Sequence, residues 1–149
     1  MTELLISLGY IGLFIISFLA ATILPLTSEV VALALPPLGY PIPMVIIVAT
    51  AGNFLGTVVN WYVGKRGGHV VLQKWFNISD EAKEKAEARF AKYGVPALFF
   101  SWIPIIGDPL TFVAGMMDVP FGKFTAWVLT GKAIRYTALF YLVDLFFWQ

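Results

Sequence analysis

Three long apolar runs, each about the length that crosses a lipid bilayer, most constrain how this chain can fold. They cover Leu4–Leu24, Ile42–Val63 and Phe124–Trp148. A transmembrane helix needs about 20 predominantly apolar residues. The 149-residue chain is 59% hydrophobic and 13% charged, with a mean hydropathy of +0.82, whereas soluble domains are about one quarter charged. The sequence therefore predicts a single all-α, multi-pass integral membrane domain, residues 1–149.

The composition also narrows the possible functions. The net charge is only +1, which argues against nucleic-acid binding. The chain has no cysteine and the single His69 has no companion ligands, so we expect no disulfide and no metal site. The sequence contains no G-x-S-x-G, H-E-x-x-H or P-loop motif, which makes an enzyme the least favoured class. We expect no cofactor.

One hydrophilic segment, Gly64–Lys92, interrupts the apolar sequence, and it contains seven basic residues. Basic loops between membrane spans are retained in the cytoplasm, so we expect residues 64–93 to be cytoplasmic. Ser79 is a suitable helix N-cap, and Gly94 is a suitable helix end. Ion pairs four residues apart would stabilise the amphipathic helix between them, namely Glu81 with Lys85 and Lys83 with Glu87.

The two halves of the chain resemble each other at an offset of 79 residues. The shift aligns Pro25 with Pro104, Glu29 with Asp108, Pro41 with Pro120, Gly52 with Gly131, Tyr62 with Tyr141 and Asn53 with Lys132. In each half a proline interrupts an apolar run, and a carboxylate follows four residues later. Pro-interrupted short segments at corresponding positions are typical of transporters built from structural repeats.

This offset predicts two inverted repeats, at about residues 4–64 and 94–149, joined by a cytoplasmic amphipathic helix at about 65–93. Each repeat would consist of a re-entrant helical hairpin followed by a transmembrane helix. Because the linker is cytoplasmic, the second hairpin would enter the membrane from the cytoplasm and the first from outside. The run Leu4–Leu24 is also long enough for a full crossing, which would break the strict symmetry.

Prolines mark the predicted helix breaks at Pro25, Pro104 and Pro109. Proline removes a backbone donor and ends or kinks a helix. Broken backbone at membrane depth is tolerated only where protein or a water-filled cavity surrounds it. Ser28 has a hydroxyl that can satisfy the freed backbone groups, so we expect the breaks to face a polar cavity.

Two carboxylates and two cations within apolar surroundings are the candidate site. A charged side chain at the centre of the bilayer costs about 2.5–3.5 kcal/mol on insertion scales. Lys132 and Arg135 would lie about 13–18 Å along the last helix if it begins near Lys123, close to the middle of a core about 30 Å thick. We therefore expect Glu29 and Asp108 to meet both cations in a shared cavity that forms a substrate or proton pathway.

Structural explanations for the same residues stay open. Glu29 would then be only a hairpin cap, Asp108 a turn residue at the water interface, and the cations would extend to the membrane surface. Asn53 could equally line the pathway or serve packing. Gly52-x-x-x-Gly56 is a motif that allows close helix approach, for which packing is the favoured explanation.

Four stretches of the sequence resemble the DedA family of bacterial inner-membrane proteins, which share the SNARE-associated Golgi or VTT fold, and most closely its short YqaA-like branch. They are LPLTSEVVALA, AGNFLGTVVNWYVGKRGG, RFAKYGVPALFFSWIPIIGDPLTFVAGMMDVPFGKF and GKAIRY. The resemblance covers nearly the whole chain and implies opposed re-entrant hairpins, lipid transport and an inner-membrane location. Some members are assigned undecaprenyl-phosphate or phospholipid translocation, and others are linked to proton-dependent stress tolerance. Arginines of the family pattern are replaced here by Ser101 and Gly107.

The favoured function is a flippase or scramblase of a phosphate-bearing lipid, either a polyprenyl phosphate or a phospholipid, with proton coupling as a further expectation. Lys132 and Arg135 would hold the phosphate, and Glu29 and Asp108 would carry protons or balance charge. Two alternatives remain, an ion- or proton-coupled carrier of a small solute and a non-transporting membrane scaffold. The expected partners are membrane lipids, and a homo-oligomer is left open.

Overall fold

The chain folds into helices throughout the residues that the computed structural model describes, which are 2–22, 28–75, 79–103 and 107–147. The α-helices are α1 (Thr2–Thr22), α2 (Ser28–Ala34), α3 (Ile42–Trp75), α4 (Asp80–Tyr93), α5 (Gly107–Met116) and α6 (Phe121–Phe147). Two 3-10 segments accompany them, the first at Pro36–Leu38 and the second at Val95–Trp102. This all-helical architecture agrees with the predicted membrane protein.

Helix α3 contains the stretch that is best suited to cross a membrane. Within the described ranges, Ile42–Gly67 is the one stretch of 18 or more helical residues that is sufficiently long and apolar, with a mean hydropathy of 2.0. The 27 residues of α6 would extend over about 40 Å, which is long enough for a crossing. That helix also carries four charged residues, namely Lys123, Lys132, Arg135 and Asp144.

The boundary between the first repeat and the linker differs from the prediction. Helix α3 continues beyond residue 65 to Trp75, and the separate amphipathic helix α4 begins only at Asp80. Where α3 passes residue 65, the Lys65 ammonium lies 5.1 Å from the centre of the Trp61 ring, one turn earlier. The same ammonium lies 3.9 Å from the Asp118 carboxylate. Within the predicted linker, residues 65–75 thus continue α3, and the polar helix begins after the predicted N-cap Ser79.

The start, the end and the ion pairs of α4 are confirmed. The Ser79 Oγ accepts a hydrogen bond of 3.1 Å from the Ala82 N–H, and Gly94 follows the helix with a φ of 69°. The Lys85–Glu81 and Lys83–Glu87 pairs have N–O distances of 3.0 and 3.6 Å.

One face of α4 is apolar and lies against the membrane domain. Ala86 and Phe90 are buried in a core cluster together with Leu110 and Val113 of α5. The polar linker helix is therefore packed onto the second half of the chain rather than held by its connections alone.

Helices α1 and α3 pack closely through the Gly52-x-x-x-Gly56 motif, as predicted. A Cβ atom added at Gly56 would lie 2.8 Å from the Ala21 Cβ, and one added at Gly52 would lie 3.1 Å from the Ser17 Cβ. Such distances leave no room for a side chain between the two helices. Without a hydrophobic driving force between helices in lipid, this backbone approach is a main source of stability.

Two long helices start at the same 79-residue offset as the sequence repeat. Helix α3 starts at Ile42 and helix α6 at Phe121. The segments before the breaks differ, because α1 has 21 residues and the second 3-10 segment has eight. The inverted relationship and the re-entrant hairpins stay predictions.

Of the three predicted helix breaks, Pro25 and Pro104 lie outside the described residues. Pro109 lies in the first described turn of α5, and the break predicted at this proline stays a prediction. The N–H of Gly107 donates to the Ile103 carbonyl at 2.8 Å.

Candidate functional site

An ion pair between α2 and α6 is at the centre of the site. Arg135 Nη2 of α6 contacts Glu29 Oε1 in the first turn of α2. Both side chains are mostly enclosed, with exposed fractions of 20% and 23%. The planar guanidinium suits a bidentate partner such as a carboxylate or a phosphate. The position that Glu29 occupies is thus one that a phosphate group could also take.

The neighbouring residues hold this pair in place. The Ser28 hydroxyl donates to Glu29 Oε2 at 3.3 Å, and its oxygen lies 3.0 Å from the Tyr136 hydroxyl. Tyr136 is completely buried. Two consecutive residues of α2 therefore contact two consecutive residues of α6, which fixes the direction of the carboxylate.

A second polar contact lies deeper in the protein. Lys132, only 2% exposed, donates from Nζ to the Asn53 Oδ1 of α3. The Asn53 amide in turn donates to the Ser17 carbonyl of α1 at 3.1 Å. The buried ammonium is therefore positioned by a side chain that is itself attached to the backbone of another helix.

A small polar cavity connects these groups. Its volume is about 30 Å³, and one water molecule needs roughly 10–15 Å³ of such space. The polar side chains that line it are Asn53, Ser101, Asp108, Lys132 and Arg135. The Ser101 hydroxyl is buried and finds no hydrogen-bond partner among the described residues. The cavity therefore suits water or the oxygen atoms of a small polar group.

The structure brings the four predicted charges together in two layers rather than around one cavity. Asp108, Lys132 and Arg135 line the polar cavity. Glu29 does not line it, but is joined to it through the ion pair with Arg135. Arg135 is thus the group that the two carboxylate environments share.

The Glu29 side of Arg135 opens into a second, apolar space. This groove has a volume of about 340 Å³. Its walls are formed by Phe99 and Trp102 of the second 3-10 segment and by Ile134, Ala138, Leu139 and Leu142 of α6. Glu29 and Arg135 supply its charged lining.

Several residues that position the site were not identified from the sequence. Asn60 donates to the Ala21 carbonyl at 2.8 Å and lies 3.3 Å from the Thr111 hydroxyl. Thr111 donates to the Asp108 carbonyl at 2.7 Å. These bonds attach the start of α5 to α1 and α3. Asn60 interrupts an apolar run, which was the one available signal, whereas nothing in the sequence pairs Tyr136 with Ser28.

The described residues offer no obvious place for a metal ion, since no three His, Cys, Asp or Glu side chains among them come together. The absence of a cofactor stays an expectation.

Known proteins match this chain over most of its length. Residues 24–145 match the VTT domain. The chain is 37% identical over 136 residues to the inner membrane protein YqaA of Escherichia coli, covering 89% of each chain. It is 35% identical over 141 residues to a protein of Haemophilus influenzae, covering 87% of this chain and 84% of the relative.

A more distant relative has a functional name. The undecaprenyl phosphate transporter A of Staphylococcus aureus is 27% identical over 146 residues, which cover 89% of this chain and 71% of the relative. No solved structure matches the chain significantly.

Proposed function

The chain belongs to the DedA family of VTT-domain inner-membrane proteins, and from this premise we propose that it moves a phosphate-bearing lipid across the bilayer. The lipid would be a polyprenyl phosphate or a phospholipid. The observation that carries the proposal is the enclosed Arg135–Glu29 ion pair with the buried Lys132 beneath it. A relative that is 27% identical is named as an undecaprenyl phosphate transporter, which agrees with this chemistry.

Arg135 and Lys132 have different roles in this proposal. The guanidinium would bind the phosphate through two parallel N–H···O bonds, and the ammonium would act as a point charge. Glu29 competes with the phosphate because it already pairs with Arg135. Protonation of Glu29 would remove its charge and release the guanidinium for the lipid.

Asp108 balances the charge on the other side of Arg135. It lines the polar cavity together with Lys132. Isolated charges in hydrocarbon are too costly to persist, so the cations need an anion whenever the lipid phosphate is absent. We propose that Glu29 and Asp108 together supply that charge, with Asn53, Ser28 and the water-sized cavity completing the pathway.

The architecture that we propose for this transport is a pair of inverted repeats. Lys132 and Asn53 are equivalent positions at the 79-residue offset, and their side chains are hydrogen-bonded. Contact between equivalent residues is expected where a two-fold axis passes between two repeats, and transporter binding sites lie at such repeat interfaces. The hairpins would be re-entrant, the first from outside and the second from the cytoplasm, with α4 in the cytoplasm.

Reconstituted protein tests the function directly. Proteoliposomes would contain a fluorescent phosphate-bearing lipid, or a glycolipid with the same chains and no phosphate, and the measured quantity is flipping above that of protein-free liposomes. We expect wild-type protein to flip the phosphate-bearing lipid faster. Lys132→Gln should abolish this preference, whereas Lys123→Gln, the same change at the start of the same helix, should preserve it.

Two results would reject the proposal. Equal flipping of both lipids would mean that phosphate is not recognised. Wild-type activity in Lys132→Gln would mean that the buried charges have only a structural role, as in the scaffold alternative.

A further inference from the structure

The apolar groove beside Arg135 differs from the other large depression on α6 in one respect. The second depression has a volume of about 390 Å³ and is lined by Ala133, Ile134, Thr137, Ala138 and Tyr141. It is at least as large as the groove of about 340 Å³, but no charged residue lines it. Size and apolar walls are common to both, so the ion pair is what distinguishes the groove.

The groove adjoins the polar cavity. Both spaces are lined by Trp102 and Arg135. On one side of the guanidinium lie Lys132 and Asp108, and on the other lie only apolar side chains and Glu29. A molecule with an anionic head and a hydrocarbon tail fits this sequence of surfaces.

The apolar wall continues along α6 away from Arg135. Ala138, Leu139 and Leu142 follow Arg135 at intervals of three, four and seven residues, which places them on one helix face. This wall is about 10 Å long at 1.5 Å per residue. A volume of about 340 Å³ also lies within the roughly 300–1,000 Å³ of typical ligand pockets.

We infer that one hydrocarbon chain of the transported lipid lies in this groove, between α6 and the second 3-10 segment, while its phosphate contacts Arg135. This inference rests on the proposed function and adds a binding site for the tail. The lipid would enter sideways from the bilayer, because the groove lies at the outer surface of α6, where Ile134 and Leu142 are about half exposed. Glu29 would move from Arg135 when the phosphate arrives.

Photo-crosslinking in lipid nanodiscs tests the site. The probe is a phosphatidic acid with a diazirine in one acyl chain, compared with a glycolipid that carries the same chain and no phosphate. With labelled positions located to single residues by mass spectrometry, we expect the phosphatidic acid to label Phe99, Trp102 and Leu142 several-fold more strongly than the glycolipid does. Labelling of the Tyr141 face should be the same for both lipids.

Two matched variants complete the test through flipping of the phosphate-bearing lipid. Leu139→Trp fills the groove and should slow flipping several-fold, whereas Ala133→Trp fills the neighbouring depression and should leave the rate unchanged. Both variants must elute as monodisperse protein. If Leu139→Trp fails to do so, the crosslinking comparison in wild-type protein decides alone.

The outcomes separate this inference from the proposed function. Equal labelling of the groove by both lipids would show that ordinary bilayer lipid fills it, which overturns the inference. Phosphate-selective flipping without labelling of the groove would overturn the inference and leave the proposed function standing. Loss of phosphate selectivity in flipping as well would overturn both.

Discussion

At the scale of single residues, the polar groups of the site depend on each other. Arg135 is paired with Glu29, and Ser28 connects that pair to Tyr136. Removing one partner of an enclosed ion pair leaves an uncompensated charge and is strongly destabilising. Informative substitutions must therefore keep either the charge or the shape of the original side chain.

Arg135→Lys keeps the charge and removes the planar fork. We expect flipping of the phosphate-bearing lipid to fall by about 10-fold, because a hydrogen bond to a charged group contributes roughly 1.5–3 kcal/mol and about 1.4 kcal/mol corresponds to a factor of ten. Initial rates in proteoliposomes measure the effect. Arg66→Lys, an exposed position of α3, is the control, and equal rates in the two variants would show that the fork has no role.

Glu29→Gln keeps the shape and removes the charge that competes for Arg135. Wild-type flipping should rise as the pH falls, since protonation of Glu29 frees the guanidinium. In the variant, flipping should be fast and should no longer rise as the pH falls, with the protein still monodisperse. If the pH profile of the variant matches that of the wild type, Glu29 has no role in the pH dependence of flipping.

At the scale of helices, local chemistry predicted some features and long-range contacts decided others. Ser79 and the ion pairs of α4 depend on residues within four positions, and the sequence identified them. The contact between Lys65 of α3 and Asp118 joins residues that are 53 positions apart, so no local pattern announces it. The bonds from Asn53 and Asn60 to the carbonyls of α1 are equally non-local, with separations of 36 and 39 positions.

The packing of α1 on α3 gives a prediction about stability. Gly56→Ala should lower the free energy of unfolding by about 1–3 kcal/mol, because the added methyl group enters a filled contact. Gly12→Ala should be neutral or slightly stabilising, since a Cβ at Gly12 would meet nothing within 4 Å and alanine favours helices. Thermal unfolding followed by tryptophan fluorescence compares them. Equal midpoints would contradict the close packing of the two helices.

At the scale of the whole molecule, the offset of 79 residues links the sequence to the proposed mechanism. The helix starts at Ile42 and Phe121 follow it. The segments at the front of the two halves differ, since α1 is an α-helix of 21 residues and the second 3-10 segment has eight. The sequence therefore predicted the second part of each half better than the first. The reason is that an unbroken run of apolar residues contains no signal for the position at which its helix ends.

Inverted repeats place the two connecting turns on opposite sides of the membrane. The chain has no cysteine, so single-cysteine variants can be labelled without background. Leu38→Cys should react with an impermeant thiol reagent added from outside, whereas Lys85→Cys and Met117→Cys should react only from the cytoplasmic side. All three positions are exposed. Reaction of residues 38 and 117 from the same side would exclude the inverted arrangement.

The central claim is that Arg135 binds the phosphate of the lipid, and solid-state NMR measures this contact directly. Protein with ¹⁵N-labelled arginine would be placed in bilayers containing the phosphate-bearing lipid, and the ³¹P–¹⁵N dipolar coupling would be recorded. The sequence has three arginines, Arg66, Arg89 and Arg135, so the same measurement on Arg135→Lys supplies the background. We predict a strong coupling in the wild type, as expected for a direct hydrogen bond, and its loss in the variant. The same coupling in both proteins would contradict the account.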